Sequence, residues 1–366
     1  MVSGYKYRVI CCVALAALLC GGSAWAQPYL SFHKGVRPLG MGGAFTAVAS
    51  DQNAIHYNPA GLSQVKSFGL GILNPMVEAS EDSYDLFKDF DDIDQDNTAE
   101  VSDLLKKHVG ENNHIKVATE LYTGFRMGEA GVMVAGVGRV SADMAIRNPT
   151  FPELHVKGDA DYGGQMGVGY ALPISGLSVG VGFKALNRES LDETYTAADI
   201  ADDNFEDRIE DDRKSGSDFS VDVGLIWTRE IEGITKVSLG VAGLNLKEMD
   251  FEEARDQKSQ YNAGIAFEQT LWGFTFIEAF DYQDITDNLA EDDSKEKKIH
   301  MGAEIQFPAI LAIRGGMSQG YYTAGATVDL KLLRFDVATY GEEIGVYAGQ
   351  KEDRRYVAQV SFGWSW

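Results

Sequence analysis

The segment Tyr356-Val357-Ala358-Gln359-Val360-Ser361-Phe362-Gly363-Trp364-Ser365-Trp366 decides the fold. Tyr356, Ala358, Val360, Phe362, Trp364 and Trp366 fall on one face; Val357, Gln359, Ser361, Gly363 and Ser365 fall on the other. A period of two is the signature of a β-strand with unlike faces. The split recurs in Phe219, Val221, Val223, Leu225 and Trp227 against Asp218, Ser220, Asp222 and Gly224. It recurs again in Tyr162, Met166, Val168 and Tyr170 against Asp161, Gly163, Gln165, Gly167 and Gly169. A soluble sandwich fills a core with its apolar face and usually carries Lys, Glu and Thr on the other. Here the second face is mostly Gly, Ser and isolated charges. That composition suits an all-β transmembrane barrel, with aromatic residues toward lipid and a small-residue, polar lumen.

Composition agrees. Among 366 residues there are 40 Gly and only 8 Pro, with 11% aromatics, which excludes collagen and a disordered chain. After residue 20 no apolar run reaches the roughly 18 residues of a transmembrane helix. Lys6 and Arg8 precede an apolar run from Val9 to Leu19, then Ala24-Trp25-Ala26, the pattern of a secretory signal peptide over residues 1–26. A lipoprotein cut at Cys20 is disfavoured by bulky Leu19. Cys11, Cys12 and Cys20 all fall in that segment, so the mature chain would have no disulfide and no thiol nucleophile. Losing Lys6 and Arg8 would take the formal net charge from -23 to -25, which argues against nucleic acid as a partner. Acid concentrates in 78–112, 191–216 and 286–298, as in solvated loops on a neutral scaffold.

Alternation predicts fourteen strands: 65–79, 115–127, 131–145, 158–172, 176–190, 217–229, 235–249, 258–269, 274–285, 297–307, 310–318, 320–330, 333–347 and 355–366. The strand 274–285 is the least regular, because Glu278 shares a face with Phe274, Phe276 and Phe280. An even strand number with alternating short and long connections is the outer-membrane pattern, with long acidic loops at 80–114 and 191–216 outside. The barrel is expected over 65–366 and the protein in the outer membrane, in contact with its lipid. Lys116, Glu120, Lys184, Asp222, Arg334 and Asp336 are expected to face inward as ion pairs with the hatch or across the lumen.

Residues 27–64 break the rhythm. Gly35 to Ala49 is dense in small residues, and Asn58-Pro59-Ala60-Gly61 is a turn signal. Arg37-Pro38-Leu39-Gly40-Met41-Gly42-Gly43-Ala44-Phe45, with Asn58-Pro59-Ala60-Gly61-Leu62, resembles the N-terminal hatch of FadL-type outer-membrane transporters of fatty acids and hydrocarbons. In wording it is most similar to their PorV-like relatives. The resemblance implies a fourteen-stranded barrel plugged by residues 27–64, with Arg37, Gly40, Gly42, Gly43, Asn58, Pro59 and Ala60 in the hatch or gate. It further implies a hydrophobic small molecule as ligand, no required cofactor, and exit through a gap in the wall near a kinked third strand, where Gly136 and Gly138 are the candidates. PorV-like relatives instead serve secretion, which implies a secretion or assembly component as partner.

Other motifs carry less. Gly176-Leu177-Ser178-Val179-Gly180 has nucleophile-elbow spacing but sits in an alternating strand. Gly40 and Gly42 begin a GxG with no strand before them. His33, His56, His108, His114, His155 and His300 form no zinc-site spacing, and no enzyme activity is expected. In the first acidic loop, Asp92, Asp94, Asp96, Thr98, Glu100 and Asp103 match the alternating ligand positions of an EF-hand-like calcium loop, between helix-compatible segments at 84–90 and 100–109. Asn97 replaces the usual Gly, and Asp103 the usual Glu; the competing reading is a solvated acidic loop.

Overall fold

The structure, a computed structural model, describes residues 34–365 except 95, 232–234 and 290–293. The expected signal peptide and the first residues of the expected hatch lie outside the described residues. The strands are β1 (Phe68–Leu73), β2 (Met76–Ser80), β3 (Asn112–Met127), β4 (Ala130–Arg147), β5 (Glu153–Ala171), β6 (Leu177–Thr196), β7 (Lys214–Ile231) and β8 (Thr235–Leu244). They continue with β9 (Gln260–Leu271), β10 (Phe274–Tyr282), β11 (Ile299–Gln306), β12 (Leu311–Ser318), β13 (Tyr321–Asp329), β14 (Leu333–Glu343) and β15 (Glu352–Ser365). All belong to one antiparallel sheet that closes on itself. β1 and β2 each pair with β15 on one side and β3 on the other, so they are two halves of one stave. The barrel therefore has fourteen staves, and closure leaves no unpaired edge in lipid.

The first stave breaks at Asn74-Pro75, where proline has no N–H for the ladder. Between the pairs Gly71↔Tyr122 and Met76↔Ala118, residues 72–75 face only residues 119–121 of β3. The Asn74 side chain donates to the Glu120 carbonyl at 2.6 Å, and the Val360 N–H donates to the Pro75 carbonyl at 3.0 Å. At Gly136 and Gly138, the residues expected to kink the third strand, β4 pairs with β3 and β5 without a register shift. Glycine keeps its backbone hydrogen bonds, whereas proline lacks the donor, so the wall yields at the proline.

The wall is uneven. β3 to β7 run 16 to 20 residues, while β10 to β13 have only 8 or 9. Strand extension to Thr196 and from Lys214 shortens the expected external segment 191–216. The irregular segment at 274–285 does form a strand, β10, with Glu278 exposed on its outer face.

The helices are α1 (Val36–Gly40), α2 (Ala54–Tyr57), α3 (Ser83–Asp91), α4 (Thr98–Lys107), α5 (Ala197–Ile200) and α6 (Phe205–Asp211), with a 3-10 turn at Pro59–Gln64. Among the described residues no helix is long and apolar enough to cross a membrane. The long connections are thus partly helical: Val101, Leu104 and Leu105 recur at the i, i+3, i+4 spacing of one helix face and are buried.

Candidate functional site

The first constellation is the hatch. Its backbone winds round the inner wall over glycines of successive staves: Gly40 beside Gly325 of β13, Met41 and Gly42 over β11 and β12, Thr46 over Gly240 of β8, Asn58 over Gly224 of β7, Pro59 and Ala60 over Gly180 of β6, and Leu62 over Gly131 of β4. A Cβ on Gly180 would stand 2.2 Å from the Ala60 nitrogen. The small-residue face of the strands is therefore a bed for the hatch backbone. Gly42 and Gly43, at φ +64° and +82°, turn the chain in the left-handed region that glycine alone enters freely.

Polar groups fasten it. Arg37 donates from Nε and Nη2 to Glu304 of β11 at 2.9 and 2.7 Å, and from Nη1 to Asp51 at 2.8 Å. Asp281 of β10 accepts the backbone N–H groups of Phe45 and Thr46, both at 2.8 Å. The Asn58 amide donates to the carbonyls of Thr46 (2.9 Å) and Leu225 (3.2 Å), while its oxygen accepts the Ala60 N–H at 3.2 Å. Around them Lys184 pairs with Asp222 (2.9 Å), Lys116 with Glu78 (2.6 Å), Arg334 with Asp336 (2.7 Å) and Glu120 with His56 (3.3 Å). The seven hatch residues singled out in the sequence thus lie together inside the barrel. Asp281 and Glu304 were missed, because an inward acid in an alternating strand looks like any lumen residue.

The second constellation lies outside the wall. Along the tall part of the barrel, β4 presents Met144 and Ile146 outward while Asp143 faces inward to His114 (2.8 Å) and Arg355 (2.9 Å). Leu86 of α3, Leu104 and Leu105 of α4, and Ile200 and Ile209 of α5 and α6 cover that outward face, with Val156, Leu191 and Tyr195 of the wall, in one apolar cluster. Between helices and wall is a cavity of about 90 Å³ lined by apolar side chains, including Phe87, Phe90, Ile146 and Val156. Its one polar lining group, the Tyr195 hydroxyl, donates to Asp212 at 3.1 Å. A cavity of about 140 Å³ with a mixed polar and apolar lining lies against the break in the first stave, between Asn74, Tyr122 and Arg334.

The cap is clasped by Asp89 of α3, which accepts from Lys107 and lies 2.7 Å from His108 Nε2. These hydrogen bonds, from Lys107 first and His108 second, hold the Asp89 carboxyl below its ordinary range and raise Lys107.

The calcium spacing does not become a loop. Asp92 ends α3, and Asn97 caps α4 by accepting the Ala99 N–H at 3.0 Å, so Thr98, Glu100 and Asp103 belong to a helix. Glu100 turns back to Asn97 (2.9 Å) and the Asp94 N–H (2.9 Å), and Asp103 pairs with Lys106 at 2.8 Å. Among the described residues no three acidic or histidine side chains are grouped as a metal site requires.

A closed barrel with an apolar outer face and a polar, plugged interior is an outer-membrane protein. Within that class the fold is similar to those of hydrocarbon channels of known structure. It is similar to the CymD monoaromatic hydrocarbon channel (TM-score 0.50, 12% identity, 92% of this chain and 99% of that one). It is also similar to a deltaS2S3 mutant of the TodX monoaromatic hydrocarbon channel (TM-score 0.54, 10% identity, 91% and 99%) and to the Ralstonia pickettii toluene transporter TbuX (TM-score 0.51, 11% identity, 92% and 99%). Residues 158–329 match the family described as F plasmid transfer operon, TraF, protein. No curated protein matches the chain in sequence. These matches do not bear out the PorV-like wording of the hatch.

Proposed function

We propose that this protein admits hydrophobic small molecules passively across the outer membrane, and that the apolar cavity under α3 to α6 holds them first. The cavity carries the reading: a pocket lined by aliphatic and aromatic side chains favours a ligand with little polar surface. The channels of like fold, described as monoaromatic hydrocarbon channels and a toluene transporter, agree with that class. The break at Asn74-Pro75 interrupts the ladder of the first stave and adjoins the second cavity, which makes it the better candidate for a lateral exit than Gly136 and Gly138.

The test is uptake of a radiolabelled long-chain or aromatic tracer by cells with and without the protein, and with Val156→Trp, which fills the cavity. Loss of the protein and Val156→Trp should both slow uptake. Equal rates in all three strains would remove the reading. A secretion-associated scaffold, which the fastened hatch and charged lumen favour, would then be recognised by failure of an exported protein to leave the cell.

A further inference from the structure

Glu278 is the central residue of β10, a strand of only nine residues, and it faces outward. Along the strand its same-face neighbours are Phe276 and Phe280; across the ladder they are Phe267 of β9 and Ala303 of β11. None of these side chains carries a hydrogen-bond donor. Nine or so residues are what a tilted strand needs to cross the apolar layer, so the middle of β10 lies near the membrane midplane. A carboxyl side chain there is too short to reach either interface, and its hydrogen-bonding capacity goes unmet in lipid whether it is ionised or neutral.

Charged residues at other outward strand positions are placed differently. Glu189 and Glu193 belong to the tall extension of β6, where Glu189 pairs with Arg213 at 2.9 Å. Arg229, Glu343, Glu352 and Arg354 lie within two residues of a strand end. Glu278 alone, among the described residues, puts an acidic or basic side chain in the middle of the lipid-facing belt. Beside it the register continues through Ala303, Gly315 of β12 and Ala324 of β13, a shallow lane in which a neighbouring backbone could approach closely.

We propose that this face, centred on Glu278, docks a membrane-embedded partner segment that presents a cationic side chain at mid-depth. Charge complementarity selects that occupant over a second copy of this chain in twofold contact, which would bring two Glu278 carboxyls together. A lipid headgroup stays at the interface and does not reach the midplane.

The test uses the full mature protein in phosphatidylcholine vesicles with a synthetic twenty-residue, leucine-rich spanning peptide that bears one central lysine and a dansyl acceptor. Tryptophan-to-dansyl energy transfer is measured against the peptide-to-lipid ratio; Trp272, at the foot of β10, and Trp227 of β7 are donors on this side of the wall. Wild type should reach half-saturation at about five-fold less peptide than Glu278→Leu, the size of a single intramembrane polar contact. Glu278→Gln should fall between them. The same peptide with central leucine should not distinguish the three proteins. Glu278→Leu should fold into vesicles at least as completely as wild type, because lipid accepts leucine there. Equal half-saturation for wild type and Glu278→Leu would overturn the proposal. Glu278-dependent transfer between labelled copies without peptide would overturn it in favour of self-association. Failure of Glu278→Leu to fold would mark a structural role, and an unchanged Glu278→Gln would then overturn the docking reading.

Discussion

The side-chain oxygen of Asn58 lies 1.9 Å from where a Cβ on Gly224 would stand. Hatch and wall therefore fit here only because one side supplies an amide and the other supplies no side chain. The same amide bonds Thr46 within the hatch and Leu225 in the wall, so it joins two hatch segments and β7 at one point. Asn58→Ala should cost about 1–3 kcal/mol of hatch docking, the range for leaving buried partners unmatched. Gly224→Ala should displace the hatch at the same place. Both variants should insert as barrels and show higher single-channel conductance than wild type; unchanged conductance would mean that this contact does not hold the plug.

Arg37 tests the fastening from the other end. Its guanidinium pairs with Glu304 and Asp51 together, and Arg37→Met would leave buried carboxylates short of a partner, a change worth about 3–5 kcal/mol when nothing compensates. Arg314, 3.0 Å from Glu304, moderates the loss. Conductance should rise more in Arg37→Met than in Arg37→Lys, which keeps the charge but not the two-pronged geometry.

Alternation over strands such as 356–366 made the barrel legible, because lipid outside and a plug inside demand opposite faces at every other residue. The hatch could be found by its small residues, but not its seat. The inner glycines Gly180, Gly224 and Gly302 read as generic lumen until the backbone lying on them was seen. The calcium spacing competes with a helix signal in the same residues, because the Asn97 that would turn an EF-hand loop is itself a strong helix cap and caps α4 here. The apolar periodicity of α4 was visible. That it would cover the outer face of β4 to β6 depends on strands extending beyond the expected ends, which local pattern does not contain.

The cap should respond to acid. Asp89 is held below its ordinary range by Lys107 and His108, so its contribution is complete above the unfolded carboxyl value of about 4 and is lost as pH falls through the lower folded value. Protection factors of the α4 amides, corrected for the intrinsic pH dependence of exchange, should fall as pH drops below about 4. Asp89→Asn should remove that acid-dependent step; if the step survives, another carboxyl controls it.

Orientation follows from the two ends of the wall. The turn at Gly128 is short, whereas Asp94 and Asp203 lie in the helical connections. Single cysteines at Asp94 and Asp203 should react with an impermeant maleimide on intact cells, and one at Gly128 should react only after lysis. Labelling at Gly128 on intact cells would invert the barrel.

The last prediction separates a capped helix from a metal loop in the same residues. Asn97 holds the start of α4, and loss of such a cap costs about 1 kcal/mol, enough to expose the 92–110 stretch to protease several-fold more often. Cutting between Asp82 and Gly110 should therefore rise in Asn97→Ala. It should be the same with calcium as with chelator in wild type and in Asp92→Ala/Asp96→Ala, because Thr98, Glu100 and Asp103 are committed to the helix and its own contacts. Calcium-dependent protection in wild type, absent from the double variant, would show that the helix gives way to a loop around the ion. Cutting that ignores Asn97→Ala would instead place the stability of α4 in its packing on Met144 and Ile146 rather than in its cap.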